Sequence, residues 1–258
     1  MQTSSFPDLL RRWRSARRVS QTDLAADAEV SARHISFLET GRARPSRDMV
    51  LILASALEVP LRERNELLAA AGFAGAYPIR SVDADQLGPV RRAVDWALRQ
   101  QEPYPAVVLN RRWDVVRTNG PAERLFTWLL DEPPVGTPNL LRTMFDPTGA
   151  RRWVANWDRV APALIARVRR EAVGGVLDPE TRALVEELRP LAPREPTRVE
   201  ELPVVPIHFR RDQRSFRFFS AVLTLGTPRD ITAEELRIEC FYPEDPETER
   251  SARRWLVG

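Results

Sequence analysis

Apolar residues in the first seventy positions fall at helical spacing, and capping residues divide them into five short runs. Phe6, Leu9, Leu10, Trp13 and Ala16 share one stripe, with Arg11, Arg12, Arg14, Arg17 and Arg18 on the other faces. Ser20-Gln21-Thr22-Asp23 reads as a capping box that opens a second helix, whose Leu24 and Ala25 point inward. Ser31 caps a third helix carrying Ile35 and Leu38 inward, and Gly41 ends it as a left-handed residue. Ser46 caps a fourth with Val50, Leu53, Ala54 and Leu57 on one side. A fifth follows Pro60, packs Leu61, Leu67 and Leu68, and stops at Gly72. The pattern predicts an all-α, five-helix domain over residues 1–73.

From 74 to 88 small residues, Pro78, Asp83 and Asp85 replace the periodicity, as expected of a linker. Residues 89–258 then alternate strand and helix signals. Ala106–Leu109 reads as a strand, Asn110–Arg112 as a tight turn and Trp113–Thr118 as the hairpin partner. Asn119 caps a helix through Ala122, Leu125, Phe126 and Leu129, and 140–145 forms another. A long helix is predicted over 151–172, kinked at Pro162, and a further one after Asp178 and Pro179. Strand signals return at 204–209, 216–225 and 236–242. The fold class is α+β overall: the helical domain, then a five-stranded antiparallel sheet with a large helical insert and helices over one face.

Composition narrows the function. Of 258 residues, 39 are basic and 36 acidic, a formal charge of +3. Every basic residue is arginine, which stays protonated where lysine would not and carries the isoelectric point to about 9.7. So small a net charge decides nothing, but its distribution does. Between Arg11 and Arg47 nine arginines face four carboxylates, a surplus of five, while the remainder of the chain carries a deficit of two. A basic face on a small helical domain is the footprint of a nucleic-acid binder. No apolar run reaches the 18 residues of a membrane span, and no apolar segment follows Met1, so a cytoplasmic protein is expected. One cysteine and two histidines leave little for a disulfide or a zinc site. No nucleophilic triad, HExxH motif or phosphate-cradling glycine loop is present, and an enzyme is not expected.

Only Ala28, Glu29 and Val30 join the second and third helices, which fits a helix-turn-helix rather than an antiparallel hairpin. Its second helix enters the major groove, where the first turn meets base edges. That turn holds Ser31, Ala32, Arg33 and His34, with Phe37 one turn on. Arginine bonds guanine O6 and N7 bidentately, and methyl or phenyl groups meet the thymine methyl. Gln21, Arg42 and Arg44 would face phosphate, and His34 is a filler or a phosphate contact. Phe37 is either a base contact or packing beneath the fourth helix.

Gln21-x-x-Leu24-Ala25, Val30-Ser31, Ile35-x-x-Leu38-Glu39-x-Gly41-Arg42 and Pro45 resemble the helix-turn-helix of XRE (Cro/cI-type) repressors over residues 6–72. The resemblance implies that Gln21 and Arg42 touch phosphate and that Ala32, Arg33 and Phe37 face bases. It also implies that Arg14 and Glu39 form a partly buried ion pair, and that Arg18 and Glu29 stand where glycine is usual. Further on, Trp113-Asp-Val-Val, Asn119-x-x-Ala122-x-x-Leu125-Phe126, Asn139-Leu-Leu-Arg142-x-x-Phe145 and Trp157 resemble the PAS-related ligand-binding domain of MmyB-like regulators. The resemblance implies a transcriptional regulator that senses a small molecule.

A sheet covered by helices encloses an apolar interior, and such interiors commonly hold ligands. Trp113, Phe126, Leu141, Phe145, Trp157 and Phe218 either line a cavity or fill the core. Arg142 sits within an apolar helical pattern, so it is expected inside, facing an anion or a protein carboxylate. Its place suggests an amphipathic ligand with an acidic head, such as a fatty acid; no cofactor is otherwise expected. His208 and Cys240 read as structural residues rather than haem or flavin partners. Two half-sites one helical turn apart call for a homodimer. The alternative is a ligand-independent repressor whose C-terminal domain only dimerises.

Overall fold

Four serines start four of the first five helices, because each hydroxyl accepts a backbone N–H that the helix itself leaves unpaired. In the computed structural model, which describes residues 4–132, 136–171, 179–193 and 204–256, these are Ser5, Ser20, Ser31 and Ser46. They open α1 (Phe6–Arg17), α2 (Gln21–Asp27), α3 (Ala32–Glu39) and α4 (Arg47–Ala56); α5 (Leu61–Ala70) follows Pro60. Both halves of the Ser20–Asp23 capping box are present. Leu24, Ile35, Leu38, Ala54 and Leu68 are fully buried at the centre of this core. Gly41 and Gly72 take the expected left-handed backbone, with φ of 72° and 87°. Arg18 and Glu29 adopt it too, at 57° and 54°. That conformation costs a side-chain-bearing residue roughly 1–2 kcal/mol. The turns close regardless, through Val19 N–H to the Arg14 carbonyl and Val30 N–H to that of Ala25.

The described residues fall into two compact units, the first holding those up to Arg80 together with Thr227–Glu234. Residues 74–80, expected at the start of a linker, are fastened to α5 within this unit. Asn65 accepts from the Ala76 and Tyr77 amides and donates to the Tyr77 carbonyl.

The second unit opens with α6 (Gly88–Gln101), then β1 (Ala106–Leu109), β2 (Val115–Thr118), α7 (Gly120–Leu130) and α8 (Leu140–Phe145). The insert continues through α9 (Trp157–Arg170) and α10 (Pro179–Leu188). β3 (Ile207–Arg211), β4 (Arg214–Thr224) and β5 (Arg237–Pro243) follow, then α12 (Pro246–Trp255). A short helix, α11 (Ile231–Glu235), interrupts the connection from β4 to β5. The strands pair antiparallel in the order β2-β1-β5-β4-β3. This is the five-stranded sheet with a helical insert that the PAS resemblance implies.

Strand alternation gives the sheet two different faces. Val107, Leu109, Phe209, Phe216, Phe218 and Phe241 pack against the insert. Ala106, Val108, Ile238 and Cys240 pack against Val94 and Leu98 of α6. Helices therefore cover both faces, not one, because α6 carries its own apolar stripe. The long helix expected over 151–172 is also corrected. A 3-10 turn spans Ala150–Trp153, Val154 bridges to Phe209, and α9 runs on through Pro162. The break falls before Trp157, where the backbone pairs with β3, rather than at the proline. No helix among the described residues is long and apolar enough to cross a membrane.

Candidate DNA-reading surface and sensor cavity

The helix-turn-helix is fixed from below by one buried carboxylate. Glu39, 2% exposed, accepts from Arg14 Nε at 2.6 Å and Arg14 Nη2 at 3.0 Å. The third Arg14 nitrogen donates to the Val19 carbonyl at 2.9 Å, so one guanidinium ties α1, the turn before α2 and α3 together. Gln21 adds a third donor to Glu39, at 2.6 Å. Gln21, expected on phosphate, thus has its amide engaged with α3. Burial opposes ionisation of Glu39, but the bonds from Arg14 and Gln21 outweigh it and hold the carboxyl below its ordinary range.

Above this clamp lies the first turn of α3, the turn expected to face bases. Ser31 accepts the His34 N–H, Ala32 is half-buried against the core, and Arg33 is exposed. The Arg33 guanidinium stands 5.2 Å over the half-buried Phe37 ring. A guanidinium held over a ring presents its fork with less rotamer freedom to lose on bonding a base. Arg42 and Arg44 are exposed just past α3, where the Arg42 and Ala43 amides both bond the Phe37 carbonyl. The geometry suits reader residues on the helix and anchor residues on the loop.

In the second unit a cavity of about 430 Å³ lies between the sheet and the insert. Trp113, Phe126 and Leu141 line it, as expected, with Met144 of α8, Leu164 of α9 and Phe241 of β5. Phe145, Trp157 and Phe218 stand behind the wall. Phe145 meets Trp157 edge-on at 4.7 Å, and Phe218 stacks on Phe216 at 5.8 Å. A second cavity of about 540 Å³ on the β2 side shares Phe126 and Leu140 with the first and is lined by Thr118, Glu123 and Thr143.

Arg142 pairs with a protein carboxylate, one of its two expected partners, at 2.8 Å from Glu187; its expected interior place is corrected, since the side chain is 56% exposed and outside the cavity. Position 142 falls on the solvent side of α8, whose buried residues are Leu140, Leu141, Met144 and Phe145. The arginines at the cavity are others. Arg167 of α9 grips Glu239 of β5 with both terminal nitrogens and Glu171 with Nε. Arg237, two residues before Glu239 on the same face, donates to Glu171. Its buried Nε and Nη2 have no acceptor among the described residues. Both guanidinium groups lie over the Trp113 ring, at 4.9 and 4.1 Å. Arg170 reaches the rim.

Burial works against the charge on Arg167, yet Glu239 and Glu171 raise its pKa above the ordinary value. Burial dominates at Arg237 and lowers its pKa, with the like charge of Arg167 adding to it against the pull of Glu171. Trp113 itself is held at φ 68°, an unusual backbone for a bulky residue. Asn110 Oδ1 accepts from the Arg112 and Asp114 amides, and the Trp113 carbonyl accepts from Leu140. Strain over-determined in this way is characteristic of binding sites. Sequence reading missed Arg167, Arg237 and Glu239. The signal was present, since alternation in Arg237-Ile-Glu-Cys-Phe241 puts two opposite charges on one face with a phenylalanine. His208 bonds Glu244 at 3.1 Å, and Cys240 lies beneath α6, where burial raises its thiol pKa.

A helical head with a basic first turn on α3 and a sheet-and-helix unit around a largely apolar cavity fit a helix-turn-helix module followed by a ligand-binding module. The family model of the MmyB-like transcription regulator ligand binding domain matches residues 90–254, and a helix-turn-helix domain model matches 6–67. The first match covers more than half of the chain, which belongs to the MmyB-like transcription regulators. Both matched families are regulator modules rather than enzymes. No curated protein matches. One solved structure, an RNA-binding light-oxygen-voltage receptor, is similar at 12% identity and a TM-score of 0.31, covering 96% of this chain and 60% of that one. So loose a superposition does not define the fold, and this chain spans about three-fifths of that receptor.

Proposed function

We propose that the chain reads a specific operator as a homodimer through Ala32, Arg33 and Phe37 of α3, anchored on phosphate by Arg42 and Arg44. We further propose that an apolar or amphipathic molecule, fatty-acid-like in class, fills the sensor cavity and changes that reading. The observation that carries the DNA reading is the exposed Arg33 guanidinium over Phe37 at the first turn of α3. What supports the ligand is a cavity within the usual 300–1,000 Å³ range, walled by apolar side chains and bordered by Arg167 and Arg170.

Two substitutions separate reading from anchoring. Arg33→Ala is expected to weaken operator binding by about 1–3 kcal/mol and leave non-specific binding nearly intact. Arg42→Ala is expected to weaken all duplexes alike and to reduce the slope of log K against log salt by about one. Equal behaviour of the two variants across duplexes would contradict the division. For the ligand, denaturing mass spectrometry of an organic extract of the purified chain should show a co-purified long-chain acid, and added lauric acid should raise the unfolding temperature of the sensor unit. An extract without a small molecule, together with no thermal shift, would leave the ligand-independent repressor as the better account.

A further inference from the structure

Residues 225–236 connect two neighbouring strands of the sensor sheet, β4 and β5, yet most of this connection belongs to the DNA-reading unit. α11 is anchored within that unit by bonds of several kinds. The Ile231 N–H donates to the Pro78 carbonyl at 3.0 Å, and Thr232 Oγ1 to the Arg80 carbonyl at 2.6 Å. Arg80 Nη1 pairs with Asp230 at 2.9 Å, and Glu234 Oε2 accepts the Leu61 N–H at 2.8 Å. Asp230 is 5% exposed and Ile231 fully buried, so the anchor is packed as well as polar.

The bond to Leu61 has a particular role. α5 begins at Leu61 after Pro60, whose side chain supplies no cap. Glu234 therefore satisfies an orphan amide of α5 from far along the chain, and places a carboxylate at the positive end of that helix. α5 packs in turn on α1 and α4, and α1 carries the Arg14 that holds α3 through Glu39.

The strands that run into this connection also line the cavity, β4 through Ser220 and Val222 and β5 through Glu239 and Phe241. We infer that the β4–β5 connection transmits the occupancy of the sensor cavity to the DNA-reading head. The inference rests on the reading that the cavity accepts a ligand. A molecule between the insert and the sheet that favours one placement of β4 and β5 over another acts on the ends of the connection. Through Asp230 and Glu234 it acts on Arg80 and on the first turn of α5. A ligand shifts such an equilibrium only through different affinity for the two placements, and the head's duplex affinity shifts the cavity's by the same factor.

The test compares the full chain with its Asp230→Asn/Glu234→Gln variant, in which both anchoring charges are removed. Each is perturbed at the cavity in two ways, by lauric acid and by the filling substitution Val222→Trp; Ser220→Leu, a smaller addition, replaces the latter if it fails to fold. Amide exchange is read at β4 and β5 and, separately, at Leu61–Arg64. In the parent chain a perturbation that changes exchange in the strands is expected to change Leu61–Arg64 by about fivefold or more. In the variant the strands should respond and Leu61–Arg64 should not. A response in the strands of the parent chain with none at Leu61–Arg64, or an equal response there in both proteins, overturns the inference. If lauric acid leaves the strands unchanged, the fatty-acid reading fails, and the filling substitution still decides the route.

Discussion

Replacing Glu39 with alanine is expected to destabilise the DNA-reading head by about 3–5 kcal/mol, the cost of breaking a buried ion pair from one side. Glu39 receives three donors, two from Arg14 and one from Gln21, and is 2% exposed. Among the described residues, its removal leaves the Arg14 guanidinium, itself 19% exposed, with the Val19 carbonyl as acceptor. Amide exchange in α3 reports the loss directly, and operator affinity should fall with it although Glu39 is buried beneath the helix. A loss below about 1 kcal/mol would place the pair among solvent-screened surface bridges. Acid should reproduce part of the effect. The folded carboxyl titrates below its unfolded value of about 4.3, so its stabilisation is complete above that value and disappears as pH falls through the lower, folded one. Glu39→Gln should flatten the acid dependence of the head in that window.

Glu239→Ala is expected to have a comparable effect, about 3–5 kcal/mol, on the sensor unit. Glu239 is 4% exposed and bound by both terminal nitrogens of Arg167. Without it, Arg167 and Arg237 share one indole face region and one carboxylate, Glu171, which is 29% exposed. The buried charge then exceeds what the site can compensate. Replacing the whole pair should cost far less, because apolar residues of similar volume commonly substitute for a buried ion pair without loss. Arg167→Met/Glu239→Leu is therefore expected to unfold close to the parent chain, and a double-mutant cycle on the unfolding of the sensor unit measures the difference. Strictly additive single and double variants would show that the two side chains are not coupled.

How far the sequence disclosed this structure depended on the length and symmetry of each signal. The five head helices were legible because each has an apolar stripe, four open on a serine cap, and glycines end α3 and α5. β1 was legible as a short run of apolar residues, and α8 through its Asn139 cap and apolar residues. α11 is five residues long, too short for periodicity to show. α12 buries only Thr248 and Ala252 along PETERSARRW, which leaves almost no apolar stripe. α6 does carry one, in Val94 and Leu98, but it begins at the edge of the linker-like stretch 74–88. Arg142 misled because apolar neighbours do not fix which side of a helix a residue occupies; one residue along from Leu141 the side chain turns to solvent. The charged end of the cavity was encoded across 70 residues, in Arg167 and in the Arg237–Glu239 pair, and only pairing of α9 with β5 brings it together. The anchor of α11 on α5 has no local signal at all.

The central claim is that α3 reads base sequence through Arg33 beside Phe37. Selection of bound duplexes from a random pool by the full chain, in parallel with Arg33→Ala, tests it most directly. The parent chain is expected to enrich a two-fold-related sequence with half-sites about 10 base pairs apart, and the variant to lose the preference at one guanine of each half-site while still retaining duplex DNA. Pools that stay random with the parent chain, or identical enrichment by the two proteins, would contradict it.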